Sequence, residues 1–119
     1  MNKKEITINN KQYHVAFDIQ TMMNFEEITS GKSFFAAKFN TITEKVALIA
    51  AAVYSADKES DITIEDIVGN KDWEAVKQIM NAFSVVSEVM EPFFTIPEIE
   101  KQNNPEPPAE EQQENEEKN

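Results

Sequence analysis

The chain opens on strict alternation. Ile6 and Ile8 flank Thr7, and Tyr13, Val15 and Phe17 alternate with His14 and Ala16. A period of two predicts two strands, each with one face toward a core. Asn9-Asn10-Lys11 lies between them, and asparagine tolerates the positive φ that tight hairpin turns require. A lone hairpin is marginal in water, so its apolar face is expected to pack on helices. From Asp18 the pattern turns helical. The Asp18 carboxylate suits an N-cap, accepting from the free N–H groups of the first turn. Ile19, Met22, Met23, Phe25 and Ile28 populate the segment from Ile19 to Thr29. Gly31 then stands where a helix end favours left-handed backbone.

Residues 33–40 are apolar without a clear period, and a short helix or an ordered loop is expected there around Phe34, Phe35 and Phe39. Thr41 and Glu44 have capping-box spacing. After them Ile42, Val46, Ile49 and Val53 recur at helical intervals, which predicts a central helix with that face buried. Ala47, Ala50, Ala51 and Ala52 favour helix and let a neighbour approach closely. Thr63 is expected to cap a short helix, Ile64 to Val68, with Glu65 and Asp66 in its first turn and Gly69 at its end. Asp72 opens the last long helix. Trp73, Val76, Met80, Phe83 and Met90 form its expected buried stripe, with Ile79 and Val86 beside it. Pro92 disfavours helix at Glu91, so the helix should stop there and pass into an extended segment bearing Phe93, Phe94 and Ile96. The prediction is an α+β, helix-dominated fold: an N-terminal β-hairpin packed on a small bundle of about four helices, as one domain over residues 1–97.

Composition changes after Pro97. Residues 98–119 hold eight glutamates, two lysines and three prolines, with Ile99 and Ala109 as the only other apolar side chains. Such a segment cannot bury enough surface to offset its ordering entropy, so a disordered acidic tail is expected. The whole chain carries a net charge of −11, and without the tail −5 remains. Every basic residue is lysine. With no arginine and no basic stripe, neither sequence-specific nucleic-acid binding nor attraction to anionic membranes is expected. The longest apolar run, Val46 to Tyr54, has nine residues, against about 20 for a membrane span. No signal-peptide core follows the N-terminus. A soluble, cytoplasmic protein is expected.

Catalytic chemistry finds little material. There is no cysteine. His14, the only histidine, falls on the polar face of the second strand. Glu26-Glu27 and Glu65-Asp66 are carboxylate pairs, but such a pair catalyses only when a pocket sets its two pKa values apart. Helix solubility and dipole compensation explain them more simply. The acids from Asp57 to Asp61 lack the alternation and central glycine of a calcium loop. Two glycines cannot build a phosphate cradle or a nucleophile elbow. The expectation is a non-enzymatic protein without metal or cofactor.

The aromatic residues point elsewhere. Phe34-Phe35 and Phe93-Phe94 are adjacent pairs, and neighbours on a helix diverge by about 100°, so one of each pair can miss the core. An exposed phenylalanine can anchor a partner. Phe34, Phe35, Phe39, Phe93 and Phe94 are therefore the candidate protein-binding residues, against the plainer reading that all are buried where elements meet. Met22, Met23, Met80 and Met90 suit either an adaptable surface or core filling.

One phrase carries a family resemblance. Ile6-Thr-Ile-Asn-Asn-Lys-Gln-Tyr-His-Val-Ala-Phe-Asp18, followed by Met22-Met-Asn-Phe-Glu-Glu-Ile-Thr-Ser-Gly-Lys-Ser33, resembles the tail assembly chaperones of long-tailed phages and prophages. The similarity continues through Asp61-Ile-Thr-Ile-Glu-Asp-Ile67 and the long last helix, over about residues 5–91. The long glutamate tail is less typical of that family. The resemblance implies a non-catalytic protein that binds the tape measure protein, keeps it soluble and helps recruit tail tube subunits. It implies action in the host bacterial cytoplasm and absence from the mature virion. Some members are also made in a longer frameshifted form. Gly31-Lys32-Ser33 resembles part of a P-loop but lacks the upstream glycine, and is read as a helix stop. Self-association is a further expectation, since repeated copies could coat a long client. The rival reading is an acidic regulator that occupies a basic groove on another protein.

Overall fold

The two alternating segments pair as predicted. In the computed structural model, which describes residues 3–95, strands β1 (Lys3–Ile8) and β2 (Lys11–Ala16) form a two-stranded antiparallel sheet with Ile6 opposite Tyr13 and Ile8 opposite Lys11. The turn is Asn9-Asn10 alone, with φ of 53° and 67°. Two consecutive positive φ values are the signature of a type I′ turn, whose twist matches the strands. Lys11 belongs to β2 rather than to the turn. Asn9 also anchors the hairpin: its backbone N–H donates to Gln78 Oε1 at 3.0 Å and its side-chain amide to the Asp66 carbonyl at 2.7 Å.

Four helices follow: α1 (Ile19–Ile28), α2 (Ile42–Ala56), α3 (Ile64–Val68) and α4 (Trp73–Met90). The chain is thus α+β and helix-dominated, a hairpin packed on four helices. Each helix is capped by the residue the sequence points to. Asp18, Thr41, Thr63 and Asp72 each accept from the backbone N–H three positions on. Around Asp18 the return bond comes from Thr21, whose buried hydroxyl accepts from the Asp18 N–H and donates to the Ala16 carbonyl. Asp66 completes the box at Thr63. At the end of α1 the N–H of Gly31 reaches the Glu26 carbonyl and that of Ser30 the Glu27 carbonyl, a Schellman pattern. Ser30, with φ of 60°, is the left-handed residue of the motif, and Gly31 follows it with the positive φ expected of it, 101°.

Helix α2 is the axis of the molecule. Val46 through Val53 are all buried. The expected one-sided helix is therefore enclosed on every side, with α1, α4, β2 and α3 packed around it. Its alanine run permits this, because a helix apolar all round is a core helix. Ile42, expected on the buried face, sits in the first turn before the neighbours close in and is 44% exposed.

Helix α4 corrects the sequence reading. Its buried face is Ala75, Ile79, Ala82, Val86 and Val89. The expected stripe of large side chains lies to one side: Val76, Phe83 and Met90 are half-buried, while Trp73 and Met80 are exposed. The buried face mixes Ala75 and Ala82 with branched side chains and packs on both α2 and β1, while the bulkier residues of the expected stripe flank it. After α4 the chain does not extend. Glu91–Phe94 form a 3₁₀ turn, with Pro92 in its first turn. Ile96 and the expected acidic tail of residues 98–119 lie outside the described residues. Among the described residues, no helix is long and apolar enough to cross a membrane.

Candidate protein-binding surface

All eight phenylalanines of the chain join one continuous cluster. They come from six places: Phe17 at the end of the hairpin, Phe25 in α1, Phe34 and Phe35 in a 3₁₀ turn (Phe34–Ala36), Phe39 in the loop before α2, Phe83 in α4, and Phe93 and Phe94 after it. Phe34 is the hub. Its ring centroid lies 5.3–6.5 Å from those of Phe17, Phe25, Phe35, Phe39 and Phe94. Several pairs meet edge to face, including Phe25–Phe34, Phe34–Phe35 and Phe93–Phe94. That geometry places the positive ring edge on the negative face and adds about 0.5–1.5 kcal/mol per pair beyond area burial.

The cluster runs from core to surface. Phe17, Phe25 and Phe34 are buried, and Phe39 and Phe83 are half-buried. Phe35 is 77% exposed, Phe94 50% and Phe93 42%. So the five candidate residues are brought together, and they divide. Phe93 and Phe94 meet edge to face and are exposed together, and Phe35, the third exposed ring, is linked to them through Phe34. Phe34, at 5% exposure, cannot touch a partner and instead supports those that can. Phe39 is positioned by its backbone.

Carboxylates hold the loop that carries this surface. Glu26 Oε2 on α1 accepts from the Phe34 N–H at 2.9 Å, and Glu44 Oε1 on α2 accepts from the Phe39 N–H at 2.8 Å. The Phe39 carbonyl accepts from Lys45 Nζ, which also lies 4.9 Å over the Phe83 ring. Between these bonds Phe39 takes a φ of 56°, a left-handed value that a bulky residue adopts only when its surroundings impose it. Glu44 is buried beside Lys32, its ion-pair partner. The hydrogen bond from Lys32 is the main reason its carboxyl lies below the usual carboxylate range, with burial opposing and the backbone N–H groups of Phe39 and Lys38 assisting. The capping-box spacing of Thr41 and Glu44 is thus half used: Thr41 caps, and Glu44 turns back to the loop.

Sequence reasoning missed the supporting rings, Phe17, Phe25 and Phe83, because convergence of six chain segments leaves no local pattern. It also missed the exposure of Ile19 and Met23, at 64% and 55%, four residues apart on α1. Their signal was available, since one helical face cannot hold all five apolar residues of that segment. His14 is exposed, as its place in the alternation predicts, with Nε2 3.4 Å from Glu5. Glu26 and Asp66, from the two carboxylate pairs, make structural bonds to backbone. Among the described residues, no group of three acidic or histidine side chains is placed to hold a metal ion.

Comparison with family models, with curated proteins and with solved structures finds no match.

Proposed function

We propose that this chain is a non-catalytic tail assembly chaperone, which binds the tape measure protein of a long-tailed phage or prophage and helps recruit tail tube subunits. The observation that carries the reading is the graded phenylalanine cluster. Monomers seldom expose adjacent aromatic rings, and such patches mark docking sites. Here the rings stand on a rigid, buried base, which limits the side-chain entropy lost when a client binds. The resemblance over residues 5–91 supplies the client. Action in the host cytoplasm, absence from the finished virion and self-association along the client belong to the same proposal.

The test is co-expression with the tape measure protein. Soluble yield of the client should rise, and the two should co-purify. Replacing Phe35 and Phe94 together by serine should weaken the complex about 30-fold or more, the cost of losing one anchoring aromatic of about 2 kcal/mol. Unchanged aggregation of the client and no co-purification would sink the proposal. The acidic-regulator reading predicts binding that collapses with added salt, whereas an apolar interface persists. Light scattering that found only monomer, with and without client, would remove self-association.

A further inference from the structure

Among the described residues the sheet has two strands, and its ladder decides which backbone groups are left over. Ile8 and Lys11 flank the two-residue turn and face each other, so they form the hydrogen-bonded pair that closes it. Bonded and non-bonded pairs alternate, so Ile6 with Tyr13 and Lys4 with Val15 are bonded as well. The N–H and C=O groups of Lys3, Glu5 and Thr7 therefore point away from β2. Among the described residues, no backbone hydrogen bond from another element reaches them, and all three residues are exposed. An open edge of this kind is a template for another strand.

The space beside that edge suits a strand. A groove of about 560 Å³ lies between β1 and α4. Its apolar lining is Ile6 and Ala82, both buried, and the half-buried Val85. At the turn Gln78 already holds the Asn9 N–H at 3.0 Å, so the free edge runs from Thr7 to Lys3, about 13 Å or five residues of strand. The outer edge of β2 is more encumbered, because the Lys11–Asp61 ion pair, at 3.1 Å, ties that strand to the loop after α2. Charge then selects the occupant. Of the charged side chains lining the groove, Lys77 is paired with Glu74 at 3.0 Å. Glu5, 3.4 Å from His14, is the acid left without a lysine, on a chain of net charge −11. A cation beside Glu5 is therefore favoured.

We propose that the open edge of β1 takes up an extended segment of a partner protein as a third strand, one in which apolar side chains alternate with lysine or arginine. Its apolar residues cover Ile6, Ala82 and Val85, its basic residues flank Glu5, and its backbone pairs with Glu5 and Thr7. Main-chain bonds supply the affinity and alternate side chains the selectivity. The docking does not depend on the phenylalanine patch. A tape measure protein that ignored the chain would sink the proposed function and leave this edge standing.

The probe is the acetylated, amidated peptide Lys-Val-Lys-Val-Lys-Val-Lys, titrated against the full chain and followed by amide hydrogen exchange in NMR spectra. Binding should slow exchange at Glu5 and Thr7 about tenfold or more and leave Gln12 and His14, on the outer edge of β2, unchanged. Slowing at Gln12 and His14 instead, or at neither edge, overturns the proposal. Slowing that appears without peptide as the chain is concentrated makes a second copy the occupant and also overturns it. Two further forms of the peptide carry N-methyl groups on all lysines or on all valines, at equal charge. In one of them the methyl groups face β1 and remove bonds to the strand, and in the other they face away. One form should therefore bind about tenfold or more weakly than the other. Equal affinities would reduce the contact to attraction of charge and overturn the proposal. With glutamate in place of lysine the peptide should bind about threefold or more weakly, and equal or tighter binding overturns the basic occupant.

Discussion

Phe34 and Phe35 are neighbours with opposite roles, and the difference is energetic as well as geometric. Phe34 is the hub of five ring contacts and is buried, so Phe34→Ala leaves a cavity and should cost about 3–5 kcal/mol in urea unfolding. Phe35→Ser should stay within about 0.5 kcal/mol, since the ring is mostly in solvent. Equal losses at the two positions would remove the division into support and surface. The sequence makes it legible that an adjacent pair splits. Which member turns inward depends on the Glu26 clamp at the Phe34 N–H, a contact across eight residues with no local signature. Glu44 gives a second residue-scale test. Its folded pKa is depressed by Lys32, so the stability it contributes is present above the ordinary carboxylate range and is lost as pH falls through the folded value. The melting temperature of Glu44→Gln should therefore fall less between pH 7 and pH 3 than that of the parent chain, and parallel curves would refute the role.

At the scale of elements, local chemistry was readable and packing was not. All four N-caps act as their residue types and positions predict, because a cap is decided within one turn. The hairpin is equally local: period-two residues and two asparagines suffice. The α4 stripe failed because apolarity weights large side chains, while the buried face, packed on α2 and β1, is built partly of Ala75 and Ala82. This yields a paired prediction. Ala82→Leu should overpack the buried face of α4 and cost about 1–3 kcal/mol, whereas Trp73→Ser, although it deletes the chain's largest side chain, should change stability by less than about 0.5 kcal/mol. Urea midpoints for the two variants decide it, and a larger loss at Trp73 would restore the stripe first expected.

For the whole molecule the question is what the acidic segment does for a fold whose core lies within residues 3–95. Among the described residues, the buried cluster draws on β1, β2, α1, α2, α3 and α4 and ends at Val89. Cutting the chain after Pro97 removes eight glutamates and two lysines, lowering the net charge from −11 to −5. The cut changes the electrostatics of the compact state. Self-repulsion of the compact state falls, which stabilises slightly and more at low salt. The shortened chain should therefore unfold cooperatively within about 1 kcal/mol of the full one, with a smaller dependence of its midpoint on sodium chloride between 0 and 0.5 M. A loss of several kcal/mol would mean that the segment completes the core. The same cut separates solubility from folding, because a less charged chain with exposed phenylalanines should associate at lower concentration even though its fold is intact. Light scattering on both lengths, read beside the unfolding curves, distinguishes a segment that stabilises the fold from one that keeps an apolar surface apart from its own copies.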